Sequence, residues 1–516
     1  LKRERQIDDC ELGTPDDVVL SDGPQPLRTD TLVESVFILL ALTAVQRLVG
    51  FCRAMLFCRW LTPEQLGEWD MAFSFLILAS PIAVLALPGT FGRYVERFRK
   101  SGQLRPFFRR TSLVCVTMLV LTMLIIALAR PWFSQLVFGV SDHTELILIV
   151  AVALGSVTLY NFLIELFTAL RNVRLIATME LVNSVGFAVI SGCLLLSWQA
   201  TAKSVVIAYG TTCLFTGGVS LWWLRRVYLA APVEKEPLSN ATLWSKLAPF
   251  AAWILLVSLL TNLFNVVDRY MILHYSTMTP GEAMIQVGNY HSSRVIPLLL
   301  VSIAGLLSTM IIPHLSADWE SGRRDRVHTR LNLFIKLFGF SLCAAGVAIL
   351  LIAPFLFDVA FRGKLESGLQ VLPWTLTYCV WMALTWIATM YLWCAEKARL
   401  ASLAVFVGLI LNIILNLILL PRLGLIGAVL ATAVANLVTL GLSCVFNHML
   451  DFKLNHGARL IVAIPVLLAI GPWPMLIVLM GIGVVAARSN WLLTKEEKQL
   501  IGETLAIYRN RLRPNS

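Results

Sequence analysis

The chain has 516 residues, 58% of them hydrophobic and 14% charged, with a net charge of +11 at pH 7. Soluble domains are about 45–50% apolar, so this composition, with a mean hydropathy of +0.77, excludes a soluble globule and points to a helical protein that crosses the membrane many times. The basic excess sits in short loops beside apolar runs, where it orients the chain and matches anionic lipid headgroups rather than nucleic acid.

Residues 1–31 are polar, carry Pro24 and Pro26, and are expected to form a disordered cytoplasmic tail. The first apolar run, 32–58, is longer than the signal-peptide core of about 7–15 residues, so it reads as an uncleaved span. A spanning helix needs about 20 apolar residues. Further runs of that kind occupy 68–92, 111–129, 144–168, 177–197, 204–224, 247–272, 287–312, 331–353, 367–393, 401–420 and 424–446. Within 460–487, Gly471-Pro-Trp-Pro474 supplies a turn between two shorter spans, making about fourteen.

With a cytoplasmic N-terminus, 31 of the 42 Lys and Arg residues fall in cytoplasmic loops and tails, and only Arg59, Arg130, Lys203, Arg362, Lys364 and Arg422 fall outside. The positive-inside rule therefore places both termini in the cytoplasm of an inner-membrane protein. Arg47, Arg53, Arg269, Arg294 and Lys336 are left within apolar runs.

The polar linker 225–246 separates two six-span bundles, 32–224 and 247–446; 447–487 holds the two additional spans and 488–516 a cytoplasmic amphipathic tail. Gly67-Glu-Trp69 aligns with Gly288-Asn-Tyr290 at an offset of 221, and Arg174-Leu175 with Arg399-Leu400 at an offset of 225. Each bundle has an even number of spans, so the halves are parallel repeats enclosing a cleft. In the tail, Thr494-Lys-Glu-Glu497 has capping-box spacing. Leu500, Ile501, Leu505, Tyr508 and Leu512 share one face of the helix it opens, which either lies on the leaflet surface or docks on the bundle.

Charges inside a span are costly, about 2.5–3.5 kcal/mol at the bilayer centre on insertion scales, so those of the first and seventh spans face protein or water. Thr43, Gln46, Arg47, Gly50 and Arg53 share one arc of the first span, and Thr261, Asn262, Asn265, Asp268 and Arg269 one arc of the seventh. Arg47 and Asp268 occupy equivalent repeat positions, and either line a cavity or form a helix-packing ion pair. Tyr378 and Trp381 lie deep in the aromatic tenth span, as a sugar-stacking face or as core packing. The ten cysteines and seven histidines show no metal-ligand spacing, and no cofactor is expected.

Three segments carry a family resemblance: Arg59-Trp-Leu-Thr-Pro-Glu-Gln-Leu-Gly67; Asp268-Arg-Tyr-Met-Ile272 with Gly288-Asn-Tyr290; and Gly424-Leu-Ile-Gly427-Ala-Val-Leu-Ala-Thr432. Together they resemble the polysaccharide transporter family, which includes O-antigen flippases and belongs to the multidrug/oligosaccharidyl-lipid/polysaccharide exporter superfamily. The resemblance implies two six-helix bundles around a cavity lined by the first and seventh spans. It also implies flipping of an isoprenoid-diphosphate-linked glycan, with other polysaccharide-assembly proteins as partners.

The arginines suit a diphosphate, and Asp268 is a candidate site for coupling to a proton or sodium gradient. A multidrug exporter of the same superfamily is the nearer alternative, although binding of lipophilic cations would favour an acidic cavity and this one reads as basic. A glycosyltransferase or polymerase is the remoter one, because the longest outer loop, 273–286, offers only Glu282 as a carboxylate.

Overall fold

The computed structural model describes residues 32–230 and 239–502, and no strand occurs among the described residues. The tail 1–31, residues 231–238 of the linker, and 503–516 with Leu505, Tyr508 and Leu512, lie outside them. In chain order the first half contains α1 (Leu32–Trp60), α2 (Pro63–Ala83), α3 (Phe91–Lys100), α4 (Leu104–Leu128), α5 (Arg130–Phe138), α6 (Thr144–Ala169), α7 (Val173–Ser197) and α8 (Ala202–Ala230). The second half contains α9 (Asn240–Tyr275), α10 (Pro280–Glu320), α11 (Arg324–Phe355), α12 (Glu366–Cys394), α13 (Ala398–Leu423) and α14 (Leu425–Met449). Three shorter helices follow, α15 (His456–Ala463), α16 (Val466–Ile470) and α17 (Pro472–Arg488).

Among the described residues twelve helices are long and apolar enough to cross a bilayer; the segments His456–Ile470 and Pro472–Arg488 are shorter. The count of about fourteen spans thus resolves into twelve of membrane length and two short helical segments. The 17 residues of α17 rise about 26 Å, less than the roughly 30 Å hydrocarbon core. Gly471, at φ 139°, makes the turn before Pro472.

Two helices have no counterpart in the apolar pattern. One, α3, is amphipathic: Phe91, Tyr94, Val95 and Phe98 are buried, with Phe91 and Phe98 packed on Phe107, while Arg93, Arg97, Arg99 and Lys100 stay exposed. The other is α5, closed by Gly139 at φ 73°.

The bundles meet where α2 crosses α10. Thr62 caps α2 and Thr279 caps α10, each followed by Pro at the first helical position. At the crossing, a Cβ on Gly67 would lie 2.1 Å from the Met284 carbonyl oxygen, and one on Gly288 would lie 1.9 Å from the Pro63 carbonyl oxygen. Met284 follows Pro63 by the same 221 positions that separate Gly288 from Gly67. Each half therefore makes the other's contact, as a two-fold axis between α2 and α10 requires.

The capping box at Thr494 forms: Glu497 N–H donates to Thr494 Oγ1 at 3.3 Å and Thr494 N–H to Glu497 Oε2 at 2.8 Å. Glu497 is buried against Lys336 of α11, with Nζ–Oε2 at 2.7 Å, and accepts from Asn455 Nδ2 at 3.1 Å. Of the two placements open to this segment, its described part is docked on the bundle.

Candidate functional site

One helical turn beyond the glycine crossing, α2 places Asp70 at the interface between the bundles. Asp70 is 2% exposed and meets two arginines and a histidine from the second bundle. Arg269 Nε of α9 is 2.6 Å from Oδ2, His291 Nδ1 of α10 is 2.9 Å from Oδ1, and Arg294 Nη1 is 3.9 Å from Oδ2. Arg269 also donates to Ser74 Oγ at 2.9 Å, and the Arg294 guanidinium lies over the Tyr290 ring. A carboxylate removed from water is tolerable only when paired and hydrogen-bonded, and here Arg269, His291 and Arg294 all come from the opposite half.

Asp268 precedes Arg269 but points into its own bundle. Tyr290 Oη donates to Oδ2 at 3.0 Å; Asn412 and Asn416 Nδ2 of α13 donate to Oδ1 at 3.0 and 3.2 Å. Asn412 also contacts Thr432 Oγ1 of α14, and the Tyr290 hydroxyl meets that of Tyr378 at 3.2 Å. Asn412 and Asn416 are one turn apart on one helical face, so one strip of α13 supplies two amides to the same carboxylate oxygen. The result is an acidic group enclosed by neutral oxygen- and nitrogen-bearing side chains.

Of the two alternatives for Arg47 and Asp268, the helix-packing ion pair does not form. Arg47 is exposed on α1 and acts on Glu180 of α7, while Asp268 is satisfied within the second bundle. Sharing a repeat position does not turn the two side chains toward each other.

A cavity of about 400 Å3 lies between α2, α6, α8 and α9, deeper along α2 than Asp70. Among the nine sequence candidates, Asn262 lines it, and its Nδ2 donates to the Ile77 carbonyl at 3.4 Å. Arg53 stands behind that wall: its guanidinium lies 4.1 Å from the Phe187 ring centroid, and Phe187 packs on Tyr209, which lines the cavity. The main-chain carbonyl of Gln46 accepts from Ser184 Oγ, and Asn265 Nδ2 donates back to the Thr261 carbonyl of its own helix.

Tyr378 and Trp381 are enclosed. The Trp381 indole donates to the Val462 carbonyl at 3.0 Å and packs α12 against α15. The basic cavity expected from the arginines is corrected as well, since the charged side chain lining this one is Glu165.

Asp70, His291, Arg294, Asn412, Asn416 and Glu165 were not singled out from the sequence. Asp70 and Arg294 had a signal, being ionisable groups inside apolar runs, and the Asn412/Asn416 spacing had a weaker one. Nothing local in the sequence pairs α2 with α9 and α10.

Residues 32–319 match the family described as polysaccharide biosynthesis protein. The lipid II flippase MurJ of Bacillus subtilis (strain 168) is 21% identical over 448 residues, covering 79% of this chain and 81% of that protein. A solved lipid II flippase MurJ in an inward closed conformation superposes with a TM-score of 0.67 at 13% identity, covering 92% of this chain and 100% of the other. An inward-facing multidrug resistance MATE family transporter of the MOP superfamily gives 0.64 at 14% identity, covering 79% and 95%. An outward-facing MATE transporter gives 0.55 at 15%, covering 80% and 94%. With more than half its length matched and the two-bundle architecture in common, the chain belongs to the polysaccharide biosynthesis protein family of multi-pass membrane proteins.

Proposed function

We propose that the chain is a flippase that moves a lipid-linked saccharide precursor across the cytoplasmic membrane by alternating access, with both termini in the cytoplasm. The observation that carries this reading is the asymmetry between the bundles: they close at one end through Gly67, Gly288 and the Asp70 cluster, and enclose a cavity toward the arginine-rich end. The family assignment and the similarity to a lipid II flippase support the substrate class.

In this reading the isoprenoid stays in hydrocarbon while the polar headgroup enters the cavity. Arg53 and Arg47 attract the diphosphate, for which a planar guanidinium fork suits paired oxygens. Opening the closed end requires Arg269, His291 and Arg294 to leave Asp70. In this reading Asp268 couples that change to a proton or sodium ion, supported by the convergence of its carboxylate with the Asn412 and Asn416 side chains and, through Asn412, the Thr432 hydroxyl. No covalent step is needed.

Purified protein in liposomes should move a fluorescent isoprenoid-diphosphate oligosaccharide between leaflets while leaving it chemically intact. Failure to move it, or release or extension of the sugar, would overturn the proposal. Export of lipophilic cations is the second reading, favoured by Glu165 in the cavity; Glu165→Gln would abolish cation export under that reading and spare glycolipid movement under the first.

A further inference from the structure

The first bundle carries another cavity on its outer face. There α4 and α8 both pack on α6 and leave between them a groove of about 760 Å3. Leu113 and Val116 of α4 form one wall, Leu221 and Trp222 of α8 the other, and all four are well exposed, as lipid-facing side chains of a spanning helix would be. Leu166 of α6 also lines the groove, whereas its neighbour Glu165 lines the cavity between the bundles, so α6 stands between the two spaces.

One end of the groove is charged. Arg109 lies near the start of α4 and Arg225 near the end of α8, and because consecutive spans alternate in direction both fall at the same end of the bundle. Both are exposed, and neither forms an ion pair among the described residues. Val116 follows Arg109 by seven positions and Gly218 precedes Arg225 by seven, so the apolar walls run about 10 Å inward from the charges. At Gly218 a Cβ would meet nothing within 4 Å.

We propose that this groove binds an anionic phospholipid, with its headgroup phosphate held by Arg109 and Arg225 and an acyl chain lying along Leu113, Val116 and Leu221 past Gly218. Guanidinium groups grip phosphate oxygens more tightly than they grip water, and basic pockets between spanning helices select anionic headgroups from a bilayer. The apolar walls alone would accept any lipid chain. The two unpaired arginines supply the selectivity. The isoprenoid-linked substrate is the less suitable occupant because α6 separates the groove from the cavity its headgroup would enter. The site stands on the groove's own geometry and does not depend on the flippase reading.

The test is binding of phosphatidylglycerol and phosphatidylcholine to the full-length protein in detergent, followed by native mass spectrometry and by the rise in melting temperature. Phosphatidylglycerol should bind in preference to phosphatidylcholine, and Arg109→Gln/Arg225→Gln should weaken it by about 20–30-fold without affecting phosphatidylcholine. Gly218→Leu keeps both charges, has room for its side chain and fills the groove, so it should also lose the bound lipid while melting as the wild type does in lipid-free detergent. Wild-type phosphatidylglycerol binding by either variant would overturn the proposal. So would equally tight displacement of phosphatidylglycerol by a polyprenyl diphosphate, which would assign the groove to the substrate carrier.

Discussion

Asp268 and Arg269 are consecutive residues of α9 whose charges bind in opposite directions: Arg269 crosses to Asp70 and Ser74 in the first bundle, and Asp268 turns to Tyr290, Asn412 and Asn416 in the second. A shift of α9 that disturbs one set of contacts is therefore felt by the other, without any separate connecting element.

The Asp70 cluster is unequal, with one carboxylate serving several cations. Asp70→Asn leaves Arg269 and Arg294 buried without their carboxylate and should cost about 3–5 kcal/mol. Arg269→Gln leaves Asp70 with His291 and Arg294 and should cost clearly less. Melting temperatures in detergent decide the point; equal losses would contradict it.

Arg47 is exposed and unconnected to Asp268, so Arg47→Gln should change stability by no more than about 0.5 kcal/mol. If it attracts the substrate headgroup, transport in liposomes should fall while melting is unchanged, and adding Asp268→Asn should not restore it. Rescue by the second substitution would revive the paired reading.

What the sequence disclosed follows from how far each signal reaches. A span needs only a long enough apolar run, so the twelve membrane-length helices were legible, and the Thr494–Glu497 spacing announced its own capping box. The Gly67–Gly288 equivalence was legible because a repeat preserves order. Pairing across bundles was not. Arg269 and Asp70 are 199 positions apart, and an in-membrane charge says that it must avoid lipid without saying which helix satisfies it. The Arg47–Asp268 packing alternative does not form for that reason, and a single acid in an apolar run, such as Asp70, carries no mark of its three partners. Trp381 shows the same limit: its depth was legible, but its partner, the Val462 carbonyl, lies in a short helix more than 80 residues away.

Glu497 both caps its own helix and neutralises Lys336. Glu497→Gln should leave that lysine unpaired in a buried site and loosen the segment, so trypsin should cut at Lys495 or Lys498 faster than in the wild type. Lys336→Met/Glu497→Met removes both charges and should be milder than either single change. Unchanged proteolysis in Glu497→Gln would show that the ion pair does not hold the segment.

Gly67→Val and Gly288→Val each place side-chain atoms where a main-chain carbonyl from the other half now lies. Either should prevent α2 and α10 from meeting, and spin labels on the two helices should report a longer separation. Gly218→Ala, with open space around it, is the control that should leave the distance unchanged.

The glycine crossing also has an electrical consequence. A protein with a hollow in its middle keeps a bilayer insulating only if the remaining thickness stays dry. Side chains closing such a barrier change rotamer within nanoseconds and admit water as they do. At Gly67 and Gly288 the barrier is main chain against main chain, held by two helices with no rotamers to fluctuate, so the closed crossing stays dry as the side chains around it move.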